Sequence, residues 1–116
     1  MCGIVGILNS SSLKNNSIDI LKKLEYRGYD SAGISLFSKE RIKTIKSVGK
    51  ISELKNKAQN VSDKNFYGVI GHTRWATHGV VSKNNAHPFA NDDLTLVCNG
   101  IIAVSYTHLT LPTTSC

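Results

Sequence analysis

The amino-acid sequence predicts an α+β domain in which antiparallel sheets are covered by helices. Segments typical of strands outnumber those typical of helices, and several strand-like segments follow one another as hairpin-like neighbours. Such neighbours favour antiparallel pairing, and two stretches with apolar residues at helical spacing supply helices to cover a sheet. The 116 residues are enough for one small domain with its own core.

The first two elements are a strand and a helix. Residues 2–8 are apolar and rich in β-branched side chains, which predicts a buried strand. Residues 10–17 predict a loop, and Ser17 at its end is expected to cap a helix. Three apolar residues recur at helical spacing in that helix: Ile18, Leu21 and Leu24. Gly28 is expected to end it.

A hairpin and a second helix follow. Residues 31–38 and 41–49 predict two strands that pair through a short turn. The second helix is predicted to begin with Ser52 as its N-cap. Its buried face is expected to consist of four apolar residues at helical spacing: Ile51, Leu54, Ala58 and Val61.

The later part of the chain predicts two more strands and an unusual tail. Residues 66–76 predict a strand that runs out into a loop over residues 77–92, and residues 94–102 predict a further strand. Residues 103–116 contain no Lys, Arg, Asp or Glu, and their threonines and Pro112 disfavour a helix. Two interpretations of this tail stay open: an odd terminal strand, or sequence outside the same reading of the gene.

Composition narrows the class of protein. The net charge is +6, but the basic residues are scattered, which favours a solvated surface over a nucleic-acid-binding one. No apolar run is long enough to predict a membrane span. The three cysteines contain no CxxC pair and fit a reduced, cytoplasmic setting: Cys2, Cys98 and Cys116. Three histidines lack zinc spacing, so neither a metal nor a cofactor is expected: His72, His78 and His87.

Cys2 occupies a position that can carry chemistry of its own. Once Met1 is removed, the Cys2 thiol lies close to its own α-amino group. A free thiol has a pKa of about 8.5 and an α-amine one of about 7.7–8.0, so the amine can take the thiol proton near neutral pH. On position alone, a small buried apolar residue in a strand is an equal alternative.

Four segments together resemble the N-terminal glutaminase domain of the glutamine–fructose-6-phosphate aminotransferases, which are N-terminal-nucleophile amidotransferases. They are MCGIVGI at residues 1–7, LEYRGYDSAGI at 24–34, GHTRWATHG at 71–79 with NAHPF at 85–89, and NGII at 99–102. The first is shared across the wider class, whereas the second and third are particular to this family. For residues 1–102 the resemblance implies a partial αββα sandwich of the N-terminal-nucleophile hydrolase type, with antiparallel sheets.

The resemblance also implies the catalytic residues. Cys2 corresponds to the nucleophile that takes the glutamine side-chain acyl group as a thioester and releases ammonia. Asn99, through its side-chain amide, and Gly100, through its backbone N–H, correspond to the oxyanion donors. Both suit this role, because an amide carries no charge and a glycine allows close approach of the backbone.

A glutamine-binding set follows from the same resemblance. Arg74 is expected to hold the glutamine α-carboxylate, because a planar guanidinium can make two parallel hydrogen bonds to it. Three further glutamine contacts are expected on the same loop: Trp75, Thr77 and His78. Arg27 and Gly28 resemble the loop that supports the N-terminal residue.

The sequence departs from the family at two places. Cys98 stands where the family usually has His before the Asn-Gly pair, and strand alternation is expected to turn it away from the site into packing. From Ala103 onward the family pattern stops, and residues 103–116 resemble translated adaptor sequence. The chain is therefore expected to be a truncated reading frame. It would lack the carboxylate that binds the glutamine α-amino group and the sugar-phosphate isomerase half.

The function implied by the resemblance is the glutaminase half-reaction of glucosamine-6-phosphate synthesis. In the family, ammonia from L-glutamine is donated to fructose-6-phosphate. This chain is expected to retain at most weak glutamine hydrolysis, with fructose-6-phosphate bound only by the missing half and a homo-oligomer formed by the full-length parent. Two alternatives stay open: an inactive fragment, and a small basic nucleic-acid-binding module whose binding falls steeply with salt.

Overall fold

The computed structural model describes residues 2–75, 86–98, 101–102 and 114–115. The elements in chain order are β1 (Gly3–Leu8), α1 (Leu13–Leu24), a 3-10 turn (Glu25–Arg27), β2 (Ser31–Phe37), β3 (Ile42–Val48), α2 (Ile51–Ala58), β4 (Gly68–Arg74), β5 (Phe89–Ala90), β6 (Thr95–Leu96), β7 (Ile101–Ile102) and β8 (Thr114–Ser115). The predicted α+β character with antiparallel sheets is confirmed.

The main sheet has four antiparallel strands in the order β1-β4-β2-β3. Strand β4 lies between the two earlier strands, and its Thr73 pairs with Gly3 of β1 on one side and with Ala32 of β2 on the other. Strands β2 and β3 form the predicted hairpin. The structure also pairs β5 with β6 and β7 with β8.

Both helices pack on one face of this sheet, and the apolar core lies between them and the strands. Gly71 shows how close the layers are. A Cβ added there would lie 2.7 Å from Cγ1 of Val5 and 3.0 Å from Cδ1 of Leu21, so glycine lets α1 approach the sheet. The core consists mainly of aliphatic side chains from all the long elements: Val5, Leu13, Ile18, Leu21, Ile34, Leu36, Leu54 and Val69.

Helix α1 begins earlier than the sequence predicts. It starts at Leu13, so Ser17 is not its cap but a buried residue inside it, where the Ser17 hydroxyl donates to the Lys14 carbonyl at 2.9 Å. The early start follows from burial of Leu13, which is 1% exposed. It also follows from the Lys14 N–H, which donates to the Asp63 carboxylate at 2.9 Å and so has a partner at the helix start.

Helix α2 is confirmed, but its predicted cap is wrong. The residue before the helix is Lys50, and Ser52 lies within the first turn. The N–H of Ile51 donates to the Glu25 carboxylate at 2.8 Å, so a residue from the 3-10 turn supplies the acceptor that Ser52 was expected to supply. Val61 lies beyond the helix end and packs against the core.

The other face of the sheet is partly covered by residues 86–98. The peptide bond between His87 and Pro88 is cis, and this segment rests on Gly33 of β2. A Cβ at Gly33 would clash with the His87 carbonyl and lie 2.9 Å from Cδ of Pro88. The glycine therefore allows the backbone of this segment to pack directly on β2.

Two sequence predictions for this later region are corrected. Part of the predicted loop 77–92 forms the short strand β5, and the remaining residues up to 85 lie outside the described residues. The single strand predicted for residues 94–102 is divided into β6 and β7. Val97 and Cys98 lie outside a strand, and the described ladder between β5 and β6 ends at Leu96.

In the tail, residues 114–115 form β8, which pairs with β7, whereas residues 103–113 lie outside the described residues. Neither helix that the structure describes is long and apolar enough to cross a membrane.

Candidate active site

Two of the residues predicted to carry chemistry, Cys2 and Arg74, lie at one end of the main sheet. Cys2 directly precedes β1, whose Gly3 pairs with Thr73, and the next residue on β4 is Arg74. Antiparallel register therefore places Cys2 and Arg74 on neighbouring strands at the same end, with Ser31 of β2 paired to Arg74 on its other side. Cys2 is 2% exposed and Arg74 is 1% exposed.

Alternation along β4 assigns Arg74 to one face of the sheet. A Cβ at Gly3 would lie 2.8 Å from Cβ of Leu24, so Gly3 and its partner Thr73 face α1. Arg74, the next residue on β4, therefore belongs to the opposite face, the one that residues 86–98 partly cover. Cys2 directly precedes Gly3, so it lies at the same end of the sheet as Arg74.

Gly28 brings the loop after α1 against this end. A Cβ at Gly28 would lie 2.5 Å from the Arg74 carbonyl carbon and 2.6 Å from the Trp75 nitrogen, which leaves room only for glycine. The adjoining N–H of Asp30 donates to the Arg74 carbonyl at 3.2 Å. The Gly28 loop and the end of β4 are thus held together by backbone contacts.

Two aromatic residues border the same region. Trp75 follows β4 directly and is 48% exposed. Its ring lies 6.4 Å from the Tyr29 ring, centroid to centroid, at a tilt of 57°.

Arg27 is the last residue of the 3-10 turn, directly before Gly28, and it is half-buried. The structure therefore brings Cys2, the Arg27–Gly28 pair, Arg74 and Trp75 to one end of the fold.

Four predicted site residues lie outside the described residues: Thr77, His78, Asn99 and Gly100. Their roles in holding glutamine and stabilising an oxyanion stay predictions. The residue before Asn99 is described, and it has specific partners.

The buried His72 and His87 and the half-buried Cys98 form a polar cluster that sequence reasoning did not assign. The two imidazole rings stack at 4.0 Å between centroids with 22° between their planes, and both side chains are fully buried. Nε2 of His72 lies 2.7 Å from the Cys98 carbonyl oxygen, and Nε2 of His87 lies 3.3 Å from the Cys98 Sγ. One feature of the sequence could have indicated the cluster: Cys98 stands where the family usually has a histidine.

Burial lowers the pKa of His87 to about 3, and the electrostatic interaction with the stacked His72 acts in the same direction, with smaller effects from Arg74 and Lys46. His87 is therefore neutral at physiological pH. The Phe89 ring meets it edge to face at 4.6 Å, and the Lys46 ammonium lies 4.9 Å above the Phe89 ring. The His87 ring therefore packs against both the His72 ring and the Phe89 ring.

The strand alternation that was expected to turn Cys98 away from the site into packing is not present at this residue. Strand β6 ends at Leu96, so Cys98 lies outside a strand and the alternation argument does not apply. Both its carbonyl and its thiol contact imidazole nitrogens.

Metal ligation has no support in the part of the chain that the structure describes. No group of three or more His, Cys, Asp or Glu side chains there could hold a metal ion. In the His72–His87–Cys98 cluster, Nε2 of His72 faces a carbonyl oxygen and not the thiol, so the three side chains do not converge on one point.

No family profile matches the chain. Curated proteins are nonetheless closely similar, and all those compared are named isomerizing glutamine–fructose-6-phosphate aminotransferases. The chain is 49% identical to the protein from Helicobacter pylori over 102 residues and 51% identical to that from Francisella tularensis over 105 residues. Against the protein from Synechocystis it is 46% identical over 104 residues.

Each of these matches covers 88% of the chain, and the chain spans about 17% of the length of the first two relatives. The resemblance to the glutamine–fructose-6-phosphate aminotransferases that the four motifs predict is therefore confirmed over the part that these relatives share with the chain.

Proposed function

We propose that the chain carries the nucleophile-bearing part of a glutaminase site, which hydrolyses the side-chain amide of L-glutamine. The observation that supports this most strongly is that Cys2, directly before β1, and Arg74, the last residue of the neighbouring strand β4, lie at the same end of the main sheet. A nucleophile beside a guanidinium that can hold the substrate carboxylate is the minimum that such a reaction requires.

The proposed reaction begins with removal of Met1. The freed α-amine of Cys2 takes the thiol proton, and the thiolate attacks the amide carbon of glutamine. The amide oxygen becomes an oxyanion that the Asn99 side chain and the Gly100 N–H stabilise, each donor contributing roughly 3–4 kcal/mol. The amine returns its proton to the departing nitrogen as ammonia leaves. Water then cleaves the thioester, which releases glutamate and restores the thiol.

Substrate binding is assigned to the end of β4 and the loop after it. The Arg74 side chain is buried. A guanidinium is a rigid, planar group, and its donors can form two parallel hydrogen bonds to a carboxylate. Trp75, Thr77 and His78 complete the glutamine-binding set in this proposal. Gly28 supports it by holding the Arg74–Trp75 backbone in place, and Arg27 adjoins it.

The names of the relatives extend the proposal to the parent reaction. They specify glutamine, fructose-6-phosphate and isomerisation, whereas this chain spans about 17% of their length. We assign transfer of ammonia to fructose-6-phosphate, completion of the αββα sandwich and assembly into a homo-oligomer to the remaining sequence of such proteins. The chain itself is a cytoplasmic glutaminase of reduced activity in this proposal.

Glutamate release from L-glutamine tests the proposed reaction. The Cys2→Ala variant should lose hydrolysis entirely, because no other group replaces the thiol. The Cys116→Ala variant is the matched control, since it removes a cysteine that has no role in the proposal, and it should keep the activity. Equal rates in both variants would contradict the assignment. Binding to nucleic acid that falls steeply with salt and ignores Cys2 would support the alternative class.

A further inference from the structure

We propose that His72 and His87 are positioning residues that hold Cys98, and through it fix the start of the Asn99–Gly100 oxyanion pair. This inference rests on the proposed function, because it assigns the pair a task only if Asn99 and Gly100 serve as oxyanion donors. The observations that carry it are the two hydrogen-bond distances to Cys98 and the stacking of the two rings.

His72 acts on the backbone of Cys98. A carbonyl oxygen can only accept a hydrogen bond, so the 2.7 Å contact requires that Nε2 of His72 carries the proton and donates it. That carbonyl belongs to the peptide bond that joins Cys98 to Asn99. Because a peptide unit is planar, this hydrogen bond restrains the peptide plane that follows the Cys98 Cα.

His87 acts on the side chain of Cys98. Its Nε2 lies 3.3 Å from Sγ, within hydrogen-bond range for sulfur. Its ring is itself held between the His72 ring at 4.0 Å and the Phe89 ring at 4.6 Å, and its backbone is seated on Gly33. The sulfur therefore meets a ring that has little freedom to move.

The contacts with His72 and His87 hold Cys98 at a point that the β5–β6 ladder does not reach. Strand β6 ends at Leu96, so its ladder of backbone hydrogen bonds does not reach Cys98. His72 belongs to β4, and His87 is anchored on β2 through Gly33, so the pair connects Cys98 to the two central strands of the main sheet. Arg74 and Cys2 lie at the end of the same sheet.

A positioning role of this kind affects the rate more than the binding of substrate. Oxyanion donors act only if they lie about 2.7–3.1 Å from the developing charge, and a misplacement of about 1 Å can cost two orders of magnitude in rate. The carboxylate of glutamine is held elsewhere in the proposal, by Arg74, so its binding does not depend on the pair.

The test compares two substitutions of His72 in the full chain. His72→Phe keeps a flat ring for stacking but removes the donor, whereas His72→Gln keeps a donor that can reach the Cys98 carbonyl. We expect His72→Phe to lower kcat for glutamine hydrolysis about 10- to 100-fold with KM changed by less than about threefold. His72→Gln should recover most of kcat. Alkylation of Cys2 by iodoacetamide, which needs no oxyanion donors, should stay at the parent rate in both.

The outcomes separate this inference from the proposed function. If His72→Phe retains kcat, or if both variants lose kcat and Cys2 alkylation together, the positioning role is overturned while Cys2 catalysis stands. If the unsubstituted chain releases no glutamate and its Cys2 shows no selective alkylation, the proposed function fails and this inference fails with it.

A second pair of variants covers the case in which His72→Phe does not fold. Cys98→Ser preserves a hydrogen-bonding group opposite His87, and Cys98→Ala removes it without adding volume to the core. The inference predicts a several-fold lower kcat for Cys98→Ala, with Cys98→Ser close to the parent. Equal kcat values in the two variants would overturn the role assigned to His87.

Discussion

At the scale of single residues, glycines and histidines determine which backbone segments can meet at the candidate site. Gly28 admits the backbone of Arg74 and Trp75, and Gly33 admits the segment that carries His87. A glycine in a sequence motif is readily noticed, but its partner is not, because close approach is a property of two segments far apart in the chain. The sequence therefore predicts the importance of Gly28 without the contact that explains it.

Replacing Gly28 with alanine should displace the end of β4. The added Cβ would lie within 2.6 Å of two backbone atoms, so the chain must shift, at a cost of about 1–3 kcal/mol in the free energy of unfolding. Gly6→Ala is the matched control, since a Cβ there meets nothing within 4 Å. Urea unfolding of both variants measures the difference. Equal losses of stability would contradict the close approach seen at Gly28.

The buried His87 should make stability depend on pH. Its folded-state pKa of about 3 lies below the ordinary value of 6.5. Between these two pH values His87 is protonated in the unfolded chain and neutral in the folded chain. This contribution to stability is fully present above pH 6.5 and is lost as the pH falls towards 3. Between pH 7 and pH 5 the loss should be about 2 kcal/mol.

Urea unfolding at these two pH values, compared with a His87→Gln variant, checks the prediction. The variant has no titrating group at this position, so its free energy of unfolding should vary less between pH 7 and pH 5. Identical slopes for the two proteins would show that His87 titrates normally in the fold.

At the scale of elements, the local features of the fold could be predicted and the long-range ones could not. The β2–β3 hairpin and helix α2 follow from patterns within a few residues. The start of α1 does not, because it depends on Asp63, which is 49 residues away from Lys14. The same holds for α2, whose first N–H is accepted by Glu25, 26 residues earlier.

Glu25 should contribute to the stability of helix α2. Its carboxylate accepts the Ile51 N–H at 2.8 Å, and this hydrogen bond, with a smaller effect of Lys22, lowers the pKa of Glu25. Glu25→Gln should reduce the free energy of unfolding at pH 7 by about 1–2 kcal/mol, because a charge-assisted hydrogen bond is replaced by a neutral one. Glu53→Gln, in the first turn of the same helix, should cost less.

The pH dependence of this contribution has a definite sign. Because the folded pKa is lowered from 4.5, the stabilisation is present above the unfolded pKa and is lost as the pH falls below about 4.5. The difference between the parent and Glu25→Gln should therefore shrink in acid. A difference that grows at low pH would contradict the assignment.

At the scale of the whole molecule, the described sheet has one well-covered face and one partly covered face. The covered face carries the helices, and the other carries residues 86–98 together with an exposed row on the edge strand β1. Within that row Ile4 is 43% exposed and Leu8 is 63% exposed. Exposed apolar side chains on an edge strand favour association between chains.

Substituting Leu8 with lysine should therefore reduce self-association without loss of stability. The side chain is mostly exposed, so its removal costs little packing, while a charge on an edge strand opposes pairing. Ile20→Lys on helix α1, which replaces a residue that is 38% exposed away from the edge, is the control. Sedimentation over a range of concentrations measures the effect. Equal association in the two variants would remove the role assigned to β1.

The candidate site shows the same division between what sequence predicts and what it cannot. The motifs assign roles to Cys2, Gly28 and Arg74, and the structure adds that Gly28 contacts the Arg74 backbone and that Cys2 precedes the strand next to β4. The histidine pair behind Cys98 was not predicted, because it depends on β4 and on the seat at Gly33 together. Sequence patterns therefore predict the residues proposed to contact the substrate more readily than the residues that support those residues in the fold.

The central claim is that Cys2 becomes the chain terminus and acts as a nucleophile towards a glutamine-shaped electrophile. Mass spectrometry of the N-terminal peptide after treatment with 6-diazo-5-oxo-L-norleucine tests it most directly. The account predicts a peptide that begins at Cys2 and carries one adduct on that residue, and protection of Cys2 by excess L-glutamine. A peptide that has lost Met1 but carries no adduct, or a chain that keeps Met1, would contradict it.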